Sequence, residues 1–207
     1  MKERPILFSA PMVRAILDST KTQTRRVLRP QPPGSTTDVM TWHHPDDERK
    51  GAHFWSWGPD PANPGRDYIQ PDWAVPCPYG EPGDRLWVRE TFSPVPMVWT
   101  EGGVDHRSDF AYLATGDIIG CHKWRPSIHM PRSASRITLE ITGVRVERLQ
   151  DISEADALAE GVSAIMDEMR RATPRCDFQA LWQSINGPDS WAANPWVWVI
   201  EFKRIKP

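Results

Sequence analysis

The segment Trp196-Val197-Trp198-Val199-Ile200-Glu201-Phe202 constrains this chain's fold more than any other. Its residues alternate as in a strand, with Trp196, Trp198, Ile200 and Phe202 on one side and Val197, Val199 and Glu201 on the other. Both sides are largely apolar, so the strand needs cover on both faces. One face is expected to be core, and the other to be partly covered by residues of an insertion. The same strand is expected to run on to Ile205.

Other strands read the same way. Arg4 to Ser9 is a short apolar strand. Arg85 to Phe92 follows the turn signal Glu81-Pro82-Gly83-Asp84 and puts Leu86, Val88 and Glu90 opposite Trp87 and Arg89. Arg136 to Leu149 is a long alternating strand with a bulge expected at Gly143. Helices punctuate these strands. Pro11 suits the first turn of a helix carrying Val13, Ile16 and Leu17 and ending near Ser19. Ser153 is an N-cap with Ile152 as its staple, and Gly161 fits the position just past that helix's end. A second helical stretch is expected over 163–172. Asp177 is expected to cap a third helix, with Phe178, Leu181, Trp182 and Ile185 in phase until Asn186-Gly187-Pro188 stops it.

The chain has 21 prolines and 11 tryptophans among 207 residues. That many prolines argue against an all-helical protein and for strands joined by stiffened connections. Residues 30–76 and 93–135 hold little periodicity and read as two long irregular insertions, the first ordered in part by Trp42, Trp55, Trp57 and Trp73. The fold class expected is therefore mainly β with inserted helices (α+β), a single domain over 1–207.

The formal net charge is −2 and the isoelectric point about 6.3. A general electrostatic grip on a phosphate backbone needs a basic domain or stripe, so only a local patch could serve. Cys77, Cys121 and Cys176 are scattered and form no CxxC pair, which suggests neither a zinc ribbon nor a disulfide framework. No long apolar run opens the chain, so no membrane segment is expected and the cytoplasm is the expected location. Oligomeric state is not readable.

The run Lys21-Thr22-Gln23-Thr24-Arg25-Arg26 places a lysine, two threonine hydroxyls and two arginines within six residues, just after the first helix. Such a run can be a solvated basic patch. It is joined by Gly83-Asp84-x-Leu86-x-Val88, Thr138-Leu139-Glu140-Ile141, Glu160 and Val199-Ile200-Glu201-Phe202. In this order the motifs resemble the ASCH domain family of the PUA-like superfamily. The family signature is roughly Gly-x-Lys-x-x-x-Arg. The match is closest to small bacterial ASCH proteins that act as acetylcytidine amidohydrolases, whose Lys-Thr-x-Thr-x-Arg run maps onto Lys21, Thr22, Thr24 and Arg26. The long insertions and the Pro126-Ser127-Ile128-His129-Met130-Pro131 segment also resemble a phage and prophage group. Ser19 departs from the pattern, standing where the family prefers Gly. A left-handed backbone there would cost Ser about 1 kcal/mol.

The resemblance implies a PUA-like β-pseudobarrel and an amidohydrolase that needs no metal or cofactor. It implies Thr24 as nucleophile, Lys21 as its base and Glu160 as proton donor. These types suit the roles, since a lysine beside Arg25 and Arg26 loses its proton more easily than free lysine. A regular strand would turn Lys21 and Thr24 to opposite faces, so their convergence needs a kink. Thr24 could equally be a plain strand residue, Lys21 a surface cation and Glu160 a solvated helix-end carboxylate. Arg26 could hold a substrate carbonyl or phosphate oxygen, or pair with Glu90 or Glu201. Trp87 and Trp124 are the candidates to stack on a base. The run Lys123 to Arg132 mixes cations with Trp124 and His129, as a nucleic-acid-contacting loop or a Pro-locked packed loop would. Cys121, His122 and His129, joined by Cys77, are zinc-compatible in type but fit no common spacing. The expected partner is a nucleoside or RNA ligand. The second functional class kept open is a non-catalytic module binding RNA or a modified nucleotide.

Overall fold

The computed structural model describes residues 1–32, 75–94, 109–116, 123–162 and 173–205 with their side chains, and the backbone of 38–41, 53–60, 63–69, 98–100 and 103–105. Its elements run β1 (Glu3–Leu7), α1 (Ala10–Leu17), β2 (Gln23–Val27), β3 (Asp38–Thr41), β4 (His53–Asp60), β5 (Asn63–Ile69), β6 (Arg85–Arg89), β7 (Phe92–Pro94), β8 (Val98–Thr100), β9 (Gly103–Asp105), β10 (Phe110–Tyr112), β11 (Thr138–Arg148), α2 (Glu154–Ala159), α3 (Pro174–Asn186) and β12 (Trp196–Ile205).

The fold is α+β and dominated by a mixed five-stranded sheet in the order β1–β6–β11–β12–β2. β1 runs parallel to β6, and the remaining pairs are antiparallel. The register between β11 and β12 slips between Ile141 and Gly143, where the sequence places the bulge. Among the described residues no strand pairing joins the edges β1 and β2 into a closed barrel. One side chain spans that gap: Arg26 Nη2 donates to Leu7 O at 2.7 Å.

β12 explains the layering. Trp196, Trp198, Ile200 and Phe202 pack with Ile6, Leu86, Val88, Leu139 and Ile141 of the neighbouring strands, and with Phe8, Val13 and Ile16 on the α1 side. Val197 and Val199 face the other way, onto Leu149, Ile152, Ala157, Val162, Phe178 and Trp182. The cover of this second face thus comes from α2, α3 and their flanks rather than from an insertion. The reason is periodicity: Phe178 and Trp182 lie four residues apart and form the stripe that a helix can lay on a sheet. Insertion residues instead reach the first face, where Val75 and Ala114 join the core, with Cys77 and Tyr79 just past the end of the first insertion.

Three boundaries differ from the sequence reading. β6 stops at Arg89, where its pairing with β1 ends at Leu7, and Glu90 keeps to the buried side of Leu86 and Val88 to meet Arg136 at 2.9 and 3.0 Å. α3 begins at Pro174 after Thr173, which leaves Asp177 in the first turn rather than at the cap. The insertions carry strands, with β3–β4–β5 forming a three-stranded antiparallel sheet in the first. In the second insertion β7 pairs with β10, and β8 pairs with β9. The helix expected over 163–172, Trp42 and Trp73 fall outside the described residues. Among the described residues no helix is long and apolar enough to cross a membrane.

α1 ends where expected, and Ser19 adopts a left-handed backbone with φ 61°. A Cβ is disfavoured there by about 1–2 kcal/mol. Ser19→Gly is expected to stabilise the chain by about 0.5–1 kcal/mol after the entropy glycine gains when unfolded. Thermal unfolding is the check, and a fall in midpoint would oppose the assignment.

Candidate active site

The site grows from the connection between α1 and β2. Thr20 N and Lys21 N both donate to Ala15 O, at 2.9 and 3.0 Å, so the chain folds back against the end of α1. Lys21 then forms an isolated antiparallel bridge with Glu160. Thr22 changes partners: its N–H donates to Ala159 O at 2.9 Å, while its carbonyl accepts from Phe202 N at 2.8 Å. Regular strand begins only at Gln23. This break takes Lys21 out of the two-residue alternation of β2 and turns it to Glu160. Lys21 Nζ and the Arg26 guanidinium both lie over the ring of Phe8, at 5.6 and 5.3 Å.

Glu160 is placed by α2. Ser153 caps that helix by accepting from Asp156 N at 3.0 Å, and Glu160 occupies its C-terminal cap. Gly161 follows with φ 84°, and a Cβ there would meet Ala15 Cβ at 2.9 Å and Lys21 Cβ at 3.0 Å. Glycine thus allows α1, Lys21 and the end of α2 to close on one another.

Lys21 is buried, not the surface cation that its charge allows. Nζ donates to Glu160 O at 2.9 Å and to Glu160 Oε2 at 2.8 Å. The other carboxylate oxygen, Oε1, accepts from Arg25 Nη1 at 3.1 Å. Arg25 is also buried and pairs further with Glu147 and, at 3.4 Å, with Asp156. Arg145 closes the network on Glu147 at 3.0 Å, on Asp156 at 3.2 Å and on Glu201. Gln23 Nε2 ties in by donating to Asp156 Oδ1 at 3.0 Å. Burial lowers the Lys21 ammonium below the usual lysine range; Glu160 opposes this, while Arg26 and Arg25 reinforce it. A fraction of neutral amine therefore becomes accessible at a lower pH than for free lysine.

Beside this pair lies an open cleft of about 410 Å³, open solvent included. Thr24, Arg25, Arg26, Val27 and Glu160 line it with Met12 of α1 and with Phe178, Leu181, Trp182, Ile185 and Asn186 of α3. Thr24 pairs in register with Ile200 and is 2 % exposed. Its hydroxyl makes no hydrogen bond among the described residues, although it borders the cleft. The arrangement offers a free hydroxyl, a buried lysine with an eased proton, a carboxylate holding that lysine and an aromatic wall.

The structure thus gathers Thr24, Arg26 and Glu160 on one cleft, with Lys21 held against Glu160. It does not bring Trp87 or Trp124 there. Trp87 sits half-buried on β6 between Arg89 at 5.5 Å and Arg132 at 6.0 Å. Trp124 precedes Arg125, which bridges to Phe92. The Pro-rich run packs rather than lining the cleft: Met130 is buried, Arg89 donates to Ile128 O, and Arg132 pairs with Glu3 at 3.1 Å. The aromatic wall instead comes from Phe178 and Trp182. Their sequence signal is a helical apolar stripe, which looks the same whether it borders a cleft or fills a core.

Of the candidate zinc set, Cys121 and His122 lie outside the described residues. His129 is exposed, and the Cys77 thiol is pushed up to about 11 by burial. Among the described residues no three His, Cys, Asp or Glu side chains come together as a metal cage. No protein-family model, no curated protein and no solved structure matches the chain.

Proposed function

We propose that the chain is a PUA-like protein of ASCH type, its open sheet an elaborated pseudobarrel, and that it is a metal-independent amidohydrolase of acylated nucleosides such as acetylcytidine. One observation carries the reading. A cleft-lining threonine whose hydroxyl makes no hydrogen bond among the described residues shares its cleft with Glu160, the carboxylate that holds a buried lysine. Neutral Lys21 accepts the Thr24 proton as Oγ1 attacks the acyl carbon. The acyl–nitrogen bond then breaks and the amine departs with that proton. Water next cleaves the acyl–threonine ester, which releases acetate and restores the hydroxyl. Phe178 and Trp182 are buried and back the α3 wall of the cleft, while Leu181 and Ile185 present its apolar surface to a base.

The second reading is a non-catalytic cleft for RNA or a modified nucleotide. It is favoured by Glu160 having both oxygens already engaged by cations, which leaves its proton-donor role dependent on one pair opening.

Acetate release from acetylcytidine, with and without a chelator, separates these readings. Activity insensitive to chelator supports the hydrolase. Nucleotide binding without turnover of any acylated nucleoside supports the binding module. The pH profile is a further expected result. kcat/KM should rise with pH along a limb set by Lys21, lying below the ordinary lysine value near 10.5, and Lys21→Arg should lose that limb. The sign for stability follows from the same shift. Burying the ammonium is costliest below the folded pKa, and the cost fades as pH climbs from there to the unfolded value of 10.5. A limb unmoved in Lys21→Arg would assign it to another group.

A further inference from the structure

Arg26 is the cleft's uncommitted cation. Its guanidinium lies over Phe8, and its only hydrogen bond among the described residues runs from Nη2 to Leu7 O at 2.7 Å. An arginine carries five N–H donors in a planar fork, so most remain free. The carboxylates that could have neutralised it are taken. Glu90 is held by Arg136 at 2.9 and 3.0 Å. Glu201 is held by Arg145. Glu160 gives one oxygen to Lys21 and the other to Arg25. A half-buried guanidinium beside an open cleft, with no anion of its own, is suited to an oxyanion supplied from outside, which it can grip through two parallel N–H bonds.

Resting on the reading of this cleft as a nucleoside site, we infer that its ligand is a nucleotide carrying a phosphate, and that Arg26 binds that phosphate. Thr24 and Arg26 share one face of β2, because they pair in register with Ile200 and Trp198. Two residues along a strand span about 6.6 Å. The long arginine side chain adds to that reach, so an acyl group at Thr24 and an oxyanion at Arg26 belong to the two ends of one ligand in the cleft both residues line. The cleft thus selects an acylated nucleoside monophosphate over the neutral nucleoside.

Calorimetric titration of the full chain with cytidine 5′-monophosphate, cytidine and N-acetylglutamate tests this directly. The wild type should bind the monophosphate at least tenfold more tightly than cytidine, and Arg26→Gln should erase the difference while cytidine affinity stays within about twofold. Arg26→Lys, which keeps the charge but not the fork, should retain part of it and covers the case in which Arg26→Gln does not fold. Equal affinities in the wild type, a preference surviving in Arg26→Gln, or tighter binding of N-acetylglutamate would overturn the inference. Turnover separates it from the reading beneath it. If acetylcytidine and its 5′-monophosphate are cleaved equally well, the phosphate assignment falls and the hydrolase stands. If neither is cleaved but the binding pattern holds, the hydrolase falls and the phosphate assignment stands.

Discussion

Lys21→Met is expected to lower kcat for acetate release from acetylcytidine by about 10²–10⁴-fold while leaving the chain folded. That range is what a positioned general base contributes to a proton transfer. Methionine nearly fills the lysine's volume, so the packing against Ala15 and Gly161 survives. Glu160 is not stranded, because Arg25 still holds Oε1. The loss should fall on kcat rather than KM, since Lys21 does not line the cleft. An exposed pair supplies the control: Lys203, which meets Glu140 at 2.8 Å on the surface, should be replaceable without effect on rate. A Lys21→Met variant that unfolds near the wild-type temperature and turns over at the wild-type rate removes the base from the mechanism.

Glu160→Ala is expected to cost about 3–5 kcal/mol of stability, the range found when one partner of a buried ion pair is removed. It leaves the Lys21 ammonium sealed from water with Glu160 O as its remaining acceptor, and strips Arg25 of one of its three anions. For a chain of this size the thermal midpoint should fall by about 6–20 °C. The double variant Lys21→Met/Glu160→Leu removes both charges and should recover more than half of the loss, because an apolar pair of similar volume is often no worse than the ion pair. Equal losses in the single and double variants would mean that Glu160 stabilises through its packing and not by neutralising Lys21.

What the sequence disclosed follows the range of the interactions involved. Ser153 as a cap, Gly161 past the helix end, the bulge at Gly143 and the two-faced strand Trp196–Ile205 all depend on neighbours within a few residues, and each is where the pattern puts it. The alternation on β6 correctly sets Trp87 apart from Leu86 and Val88. The order of strands in the sheet is not a local property, and it decides which aromatics can meet Thr24. Trp87 stands on the face of β6 opposite the core residues Leu86 and Val88 and packs with Arg89 and Arg132, so it lies away from a cleft built at the β2 edge. α3 closes that cleft instead. The contact of Lys21 with Glu160 was approached only through the resemblance of short motifs, because no period or spacing within either segment encodes a partner 139 positions away.

That separation bears on how the protein comes into being. Among the described residues β2 has β12 as its single sheet neighbour, so the strand bearing Thr24 and Arg26 gains its ladder only when β12 arrives. Lys21 likewise waits for Glu160. During synthesis from the N-terminus the reactive run therefore emerges well before the partners that place it. Its order depends on contacts of very long loop closure, the kind that form slowly. A nascent or interrupted chain holds the lysine and threonine as ordinary solvated side chains, so the chemistry proposed for the cleft arises only from the finished molecule.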